Sequence, residues 1–223
     1  MNKELFIKAI TRYFAGLILV CLLLFIPSGT IKYPNGWLFI GILFIPMFIA
    51  GIIMMLKNPK LLELRLNVKE KETEQKEVII GSAIMFVSGF VIAGLNFRYE
   101  WFILPNYISI TASVVFLIDY LLYAEVLREN TYLARTIKVV DNQKVIDTGM
   151  YGIVRHPMYL VTILLFLMIP LVLGSIISFV IFLIYPVLII KRINNEEKVL
   201  EKDLKGYKAY QKKVKYKLIP YIW

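Results

Sequence analysis

The residues best suited to chemistry lie in two short stretches of the C-terminal half of the chain. The first, GMYGIVRHPMYL (149–160), holds the only histidine, His156, between an arginine and a proline. The second, KRINNEEKVLEKDL (191–204), places Arg192 and Glu196 four residues apart, on one face of a helix. Imidazole, guanidinium and carboxylate groups can together bind a charged ligand or transfer protons. The structural alternative is a simple helical ion pair between Arg192 and Glu196.

The segment that joins these stretches predicts how they are positioned. Residues 158–190 form an apolar run of 33 residues, whereas one helical crossing of a bilayer needs about 20 residues. Pro170 and Gly174 interrupt the run near its middle. We therefore expect a helical hairpin whose two arms end on the same side, so that the two stretches meet. Since Pro157 suits a first helical turn, His156 should directly precede a helix, whose first N–H groups can bind an anion.

The composition is that of an integral membrane protein. Of 223 residues, 59% are hydrophobic, and the mean hydropathy is +0.69, which is unusual for a soluble domain. The sequence predicts an all-α fold with about six transmembrane helices, or five if the last hairpin is counted as one. The predicted spans are 12–27, 37–56, 78–97, 102–124 and the hairpin 158–190. We expect a single membrane domain, with a four-span bundle over 1–129 and a site-bearing segment with a basic tail over 130–223.

The positive charges predict the orientation of the chain. Of 26 Lys and Arg residues, 24 lie in segments on one predicted side, namely 1–12, 57–77, 125–157 and 191–223. Only Lys32 and Arg98 fall in the opposite loops. By the positive-inside rule both termini are cytoplasmic. The net charge of +10 is thus explained by topology, and nucleic acid is not an expected partner. The membrane would be the plasma membrane in a prokaryote and the endoplasmic reticulum in a eukaryote.

Several common kinds of site have no counterpart in this sequence. Cys21 is the only cysteine, and no Cys/His spacing indicates a metal site. Neither a G-x-G dinucleotide fingerprint, a P-loop, an H-E-x-x-H nor a G-x-S-x-G motif occurs. Asp119 is the only acid deep within a predicted span, where either a functional or a hydrogen-bonded structural role is open.

Four motifs in order point to a known family. After G-x-Y-x-x-x-R-H-P-x-Y and the apolar run come EEKVL, GYKAY and the ending KLIPYIW. Over residues 130–223 the sequence resembles the isoprenylcysteine carboxyl methyltransferase family, most closely its short prokaryotic members, which are related to phospholipid methyltransferases. Across 1–129 the resemblance rests on the pattern of spans alone.

The resemblance implies a membrane enzyme that uses S-adenosylmethionine, with a cofactor pocket at the cytoplasmic end of the bundle closed by the C-terminal segment. Arg192 matches the arginine that the family assigns to the substrate end, and Arg155 and Glu196 complete the expected catalytic group. Glu196 would meet a positive group of the cofactor. The residues implied to line the cofactor are Gln143, Lys144, Val145, Ile146, Tyr151, His156, Pro157, Met158, Tyr159 and Glu196.

The expected acceptor is a lipophilic molecule, and membrane lipids are expected partners. A carboxylate, as in isoprenylcysteine O-methylation, is already ionised and needs no general base, whereas an amine or a thiol must lose a proton. A phospholipid N-methyltransferase or a thiol S-methyltransferase therefore remains an alternative. Two other classes stay open: a sterol-reductase-like enzyme that uses NADPH, and a transporter or sensor without enzymatic activity. The oligomeric state is not predicted.

Overall fold

All the regular secondary structure is helical in the part of the chain that the computed structural model describes. The described residues are 3–67, 73–137, 139–140 and 142–223. Within them there is no strand, and Ile103 and Ser175 form one isolated antiparallel bridge. The helices are α1 (Lys3–Ser28), α2 (Pro34–Lys57), α3 (Pro59–Leu66), α4 (Thr73–Tyr99), α5 (Asn106–Glu129), α6 (Pro157–Val172), α7 (Ile176–Phe182), α8 (Ile184–Asp203) and α9 (Tyr207–Lys213), with a 3₁₀ turn at Gly149–Gly152.

The long helices have the length and composition of membrane spans. Five segments qualify: α1, α2, α4, α5, and α7 with α8 as one stretch. The apolar helix α6 is shorter, with 16 residues. Large apolar side chains such as Ile18, Ile45 and Leu121 are exposed on the outer surface, where lipid rather than water is their suitable solvent. The chain is a multi-pass integral membrane protein, as predicted.

The predicted hairpin and its break are confirmed. Helix α6 ends at Val172, and the turn contains Gly174 with φ +74°, a conformation that favours glycine. A Cβ at Gly174 would also lie 2.8 Å from Asn35 Nδ2. Ser175 then caps α7, because its side chain accepts a hydrogen bond from Ser178 N at 3.2 Å.

The helix ends differ from the predicted spans. Helix α1 begins at Lys3 rather than residue 12, because hydropathy marks only the lipid-facing part of a helix that continues through polar residues. Helix α5 begins after Pro105 rather than at residue 102. In the predicted loop 57–77, Asn58 caps the short helix α3 by accepting from Leu61 N at 3.2 Å. Residues 68–72 of that loop lie outside the described residues.

One apolar core joins the first four spans to the hairpin. It includes Phe39 of α2, Phe116 of α5, Phe182 of α7 and, beyond the last span, Leu218. Helix α6 packs on α5, and α7 and α8 pack on α4. At one end of the bundle α1 begins, α2 and α5 end, α6 begins and α8 ends. We call this the cavity end; it is the end predicted to face the cytoplasm.

Candidate active site

A cavity that is partly open to solvent lies at the cavity end; its empty space, counted together with open solvent, is about 780 Å³. Its walls come from the connection between α5 and α6, the first turn of α6, one face of α8, and α9. The cavity therefore lies between the bundle and the C-terminal segment.

The structure brings together nearly all of the residues predicted for the site. Arg155, Arg192, Glu196, Gln143, Lys144, Val145, Ile146, Tyr151, His156, Met158 and Tyr159 line the cavity. Pro157 does not line it: the residue is fully buried at the first position of α6, with His156 before it at the N-cap. The ring of Pro157 thus begins the helix, while its neighbours on either side face the cavity.

Ten further lining residues were not predicted: Asn130, Tyr132, Leu133, Ala134, Thr136, Ile137, Leu200, Leu204, Tyr207 and Tyr210. Two signals could have found some of them. Leu200 shares a helix face with Arg192 and Glu196, and the GYKAY motif contains Tyr207 and Tyr210. The contribution of 130–137 had no comparable signal, because this connection has no helical or strand periodicity.

The Tyr159 hydroxyl links the two charged residues of α8 that face the cavity. It donates a short hydrogen bond to Glu196 Oε2 and accepts one from Arg192 Nε at 2.8 Å. Arg192 Nη2 also donates to the backbone oxygen of Arg135 at 2.8 Å. Since Tyr159 comes from α6, these bonds join the two arms of the hairpin, as expected. They orient the Glu196 carboxylate at the cavity wall.

Glu197, the next residue of α8, makes a second and separate ionic cluster. Its side chain is buried, with Oε1 2.7 Å from Arg155 Nε and 3.2 Å from His156 Nε2. Its Oε2 lies 3.0 Å from Lys217 Nζ, and the Tyr207 hydroxyl donates to Oε1 at 3.5 Å. A neighbouring position in a helix points about 100° away, and here that direction faces the C-terminal tail. Sequence reasoning missed this residue.

Arg155 has partners other than the predicted anionic acceptor. Besides Glu197, its Nη1 donates to the carbonyl oxygens of Val214 and Lys215, both at 2.8 Å. The Arg155 backbone N donates to Tyr216 O at 2.9 Å. These bonds hold the tail against the start of α6, so the geometry favours a positioning role for Arg155 over substrate contact.

Helix α9 forms the wall that the C-terminal segment contributes. It begins after Gly206, which has φ +90°. The Tyr210 hydroxyl donates to Tyr151 O at 2.7 Å and so ties α9 to the 3₁₀ turn. Burial raises the pKa values of Tyr151, Tyr207 and Tyr210 above the ordinary value near 10, so these hydroxyls stay protonated at physiological pH.

The arrangement is suited to a ligand with a cationic group and an apolar part. Glu196 offers an acceptor for a cation, while Val145, Ile146 and Leu200 offer apolar contact. The Tyr151 hydroxyl is buried at the wall. The Asn130 side chain lies beside it, but the Tyr151 hydroxyl has no partner with hydrogen-bond geometry among the described residues. A buried hydroxyl of this kind is a ready partner for a polar ligand atom. No cluster of His, Cys, Asp or Glu suited to a metal ion occurs among the described residues.

Asp119 is buried in α5 and is not among the cavity-lining residues. Its Oδ2 has no hydrogen-bond partner in the described part of the chain.

The fold and the site define a class: a multi-pass helical membrane protein with a cavity at one end of its bundle. A solved structure of similar fold, the eukaryotic intramembrane Ras methyltransferase ICMT (isoprenylcysteine carboxyl methyltransferase), matches this chain with a TM-score of 0.57 and 18% sequence identity. The match covers 96% of this chain and 77% of that one. At this identity the likeness is one of fold.

A family model matches part of the sequence. The profile of the isoprenylcysteine carboxyl methyltransferase (ICMT) family matches residues 111–202. These residues run from the second turn of α5 almost to the end of α8, and they include the stretch 149–160 and most of the stretch 191–204, so the resemblance to this family is confirmed over them. The comparison with curated proteins found no match.

Proposed function

We propose that this protein transfers a methyl group from S-adenosylmethionine to a lipophilic acceptor at the membrane interface predicted to be cytoplasmic. The observation that carries the proposal is the cavity at the end of the bundle, which is lined by all residues predicted to bind the cofactor except Pro157. The match of residues 111–202 to a methyltransferase family supports the same reaction class.

The side chains at the cavity would bind, orient and exclude water. S-adenosylmethionine, when bound, supplies a methyl group activated by its sulfonium. Glu196, oriented by Tyr159 and Arg192, would bind a cationic group of the cofactor. The apolar wall of Val145 and Leu204 would keep water from the reacting atoms. Proximity and a dry site are the main requirements of such a displacement.

The arrangement favours an acceptor that needs no general base. Nε2 of His156 lies 3.2 Å from Glu197 Oε1, so this nitrogen already has a partner outside the cavity. A carboxylate acceptor is ionised at neutral pH, and Arg192 at the cavity wall is suited to hold it by hydrogen bonds. An isoprenylcysteine-type carboxylate is therefore our leading acceptor, and the solved fold relative is described as a Ras methyltransferase.

Binding of the cofactor product to the purified protein tests the first half of the proposal. A ligand that binds only the native state raises apparent stability by mass action. We expect S-adenosylhomocysteine to raise the thermal stability of the detergent-purified protein, and the rise to be reduced in His156→Ala and Glu196→Gln. Asp203→Asn, which removes an exposed carboxylate at the end of the same helix, is the matched control. Stabilisation by NADPH instead would support the reductase class, and none with either would contradict both enzyme classes.

Methyl transfer from labelled S-adenosylmethionine tests the acceptor. We expect incorporation into a prenylated cysteine analogue with a free carboxylate, and none into its methyl ester. Incorporation into phosphatidylethanolamine, or into a lipophilic thiol, would replace the carboxylate assignment and keep the methyltransferase assignment.

A further inference from the structure

We propose that four arginines beside the cavity form a binding site for the phosphate group of a membrane lipid. They are Arg12 of α1, Arg65 of α3, Arg135 of the connection after α5, and Arg192 of α8; we call them the arginine cluster. This site goes beyond the proposed methyl transfer; it shares Arg192 with the proposed acceptor site, and its tests therefore use Arg65 and Arg135.

The end of α3 brings three parts of the cluster together. Arg12 Nη1 donates to the backbone oxygen of Leu66, and Arg135 N donates to the backbone oxygen of Leu64 at 3.4 Å. Arg192 Nη2 in turn donates to the backbone oxygen of Arg135 at 2.8 Å. These bonds place the guanidinium groups of Arg12 and Arg192 and the backbone of Arg135 around the end of α3, although the elements are far apart in the sequence.

Arg65 connects the cluster to the cavity wall. Its Nη2 hydrogen-bonds to the Tyr123 hydroxyl, and the guanidinium carbon lies 5.6 Å from the centre of the Tyr123 ring. Its Nη1 lies 3.8 Å from the sulfur of Met158, which lines the cavity. The cluster therefore lies next to the cavity, on the side of α1, α3 and α5.

The positive charges are close enough to affect one another. Partial burial, and then the charges of Arg65, Arg12 and Arg192, lower the pKa of the Arg135 guanidinium. No carboxylate of the described residues lies within 4 Å of a nitrogen of Arg12, Arg65 or Arg135. Like charges held close together are unfavourable without an anion. A bound anion would remove this cost.

A phosphate on an apolar anchor fits these features best. Guanidinium groups bind phosphate oxygens through paired hydrogen bonds. One guanidinium group is enough for a carboxylate, whereas a phosphate can accept hydrogen bonds from several. The position at the predicted interface is the level of lipid headgroups, where Arg attracts anionic lipids. Leu121 and Leu122, which directly precede Tyr123 in α5, are exposed, so apolar surface suited to acyl chains begins within one helical turn of the level of the cluster.

Three related ligands distinguish the contribution of the phosphate to binding from that of the acyl chains. With the full-length protein in detergent, we would measure thermal stabilisation by phosphatidic acid, by diacylglycerol of the same chains, and by glycerol 3-phosphate. We expect phosphatidic acid to stabilise the protein, diacylglycerol to have no effect, and glycerol 3-phosphate to need at least a hundredfold higher concentration. Equal effects of phosphatidic acid and diacylglycerol would overturn the proposal. Equal affinity for glycerol 3-phosphate and phosphatidic acid would show that the bound phosphate need not come from a lipid, and would overturn that part of the proposal.

Substitutions locate the site. In Arg135→Gln and Arg65→Gln we expect phosphatidic acid to bind at least tenfold more weakly, whereas Lys60→Gln, an exposed cation of the same helix α3, should bind it as the wild type does. Equal loss in all three variants would show diffuse charge attraction and would overturn the assigned site. Because the three-ligand comparison uses the wild type, the proposal can fail even if a variant does not fold. Stabilisation by S-adenosylhomocysteine, measured in parallel, reports on the proposed function separately.

Discussion

Arg155 Nε lies 2.7 Å from Glu197 Oε1, and both side chains are only 7% exposed. The pair stands between the start of α6 and the C-terminal tail, and Arg155 uses its remaining bonds on tail carbonyl oxygens. We call this ion pair the clamp, because it joins α8, the second arm of the hairpin, to the C-terminal segment that forms the far side of the site.

Loss of the Glu197 charge should destabilise the clamp. Glu197→Gln keeps the size of the side chain but leaves Arg155 buried without its counter-charge, and breaking a buried pair costs about 3 kcal/mol. We expect a lower unfolding free energy and faster cleavage of the tail by trypsin. Asp203→Asn, which is exposed on the same helix, should change stability by less than about 0.5 kcal/mol. Wild-type stability and tail protection in Glu197→Gln would contradict the clamp.

Glu196 should behave differently from Glu197, although the two are neighbours. Glu196 lines the cavity, so Glu196→Gln should weaken S-adenosylhomocysteine binding about tenfold, the equivalent of about 1.4 kcal/mol. Its stability without ligand should stay near that of the wild type. Titration of both variants checks the contrast, and an equal loss of affinity in variants of equal stability would contradict the division of roles.

The distinction between these two glutamates shows where sequence reasoning stops. The spacing of Arg192 and Glu196 predicted one functional face of α8, and that face does line the cavity. The role of Glu197 depends on what covers the adjacent face of α8, and that is decided by the path of the tail. Helical periodicity carries no information on a contact of this kind.

The same limit explains the other differences. Hydropathy and the break at Gly174 predicted the hairpin, because both are local properties of the chain. The cavity wall at 130–137 and the arginine cluster arise from long-range contacts, such as Arg135 N to Leu64 O. Arg12 and Arg65 were counted in the sequence only as topology signals.

Tyr210 should affect the site through its position. Tyr210→Phe removes the hydrogen bond to Tyr151 O, for which the typical cost is about 1 kcal/mol. We expect a slightly lower thermal stability and a higher KM for S-adenosylmethionine, because the α9 wall is held less firmly, with little change in kcat. Tyr221→Phe, at a position that is 88% exposed, is the control. A fall in kcat alone would instead indicate that Tyr210 acts on the reacting groups.

Gly149 should resist substitution at the start of the 3₁₀ turn. It has φ +53°, and a Cβ there would lie 3.2 Å from the Glu129 carboxyl carbon, so Gly149→Ala combines backbone strain with crowding. We expect a loss of about 2 kcal/mol, visible in chemical denaturation, and weaker binding of S-adenosylhomocysteine. In Gly51→Ala, where no neighbour lies within 4 Å, stability should be unchanged or higher. If the two alanine variants were equally stable, the turn would not need glycine.

The predicted orientation can be tested with single cysteines in a Cys21→Ser background. Lys32 lies between α1 and α2, at the end opposite the cavity, whereas Lys208 lies in α9 at the cavity end; both are exposed. A membrane-impermeant thiol reagent applied to intact cells should label Lys32→Cys, and should label Lys208→Cys only after permeabilisation. This outcome would place the cavity in the cytoplasm, where S-adenosylmethionine is made. The reverse pattern would invert the topology, and it would remove the source of cofactor on which the proposed reaction depends.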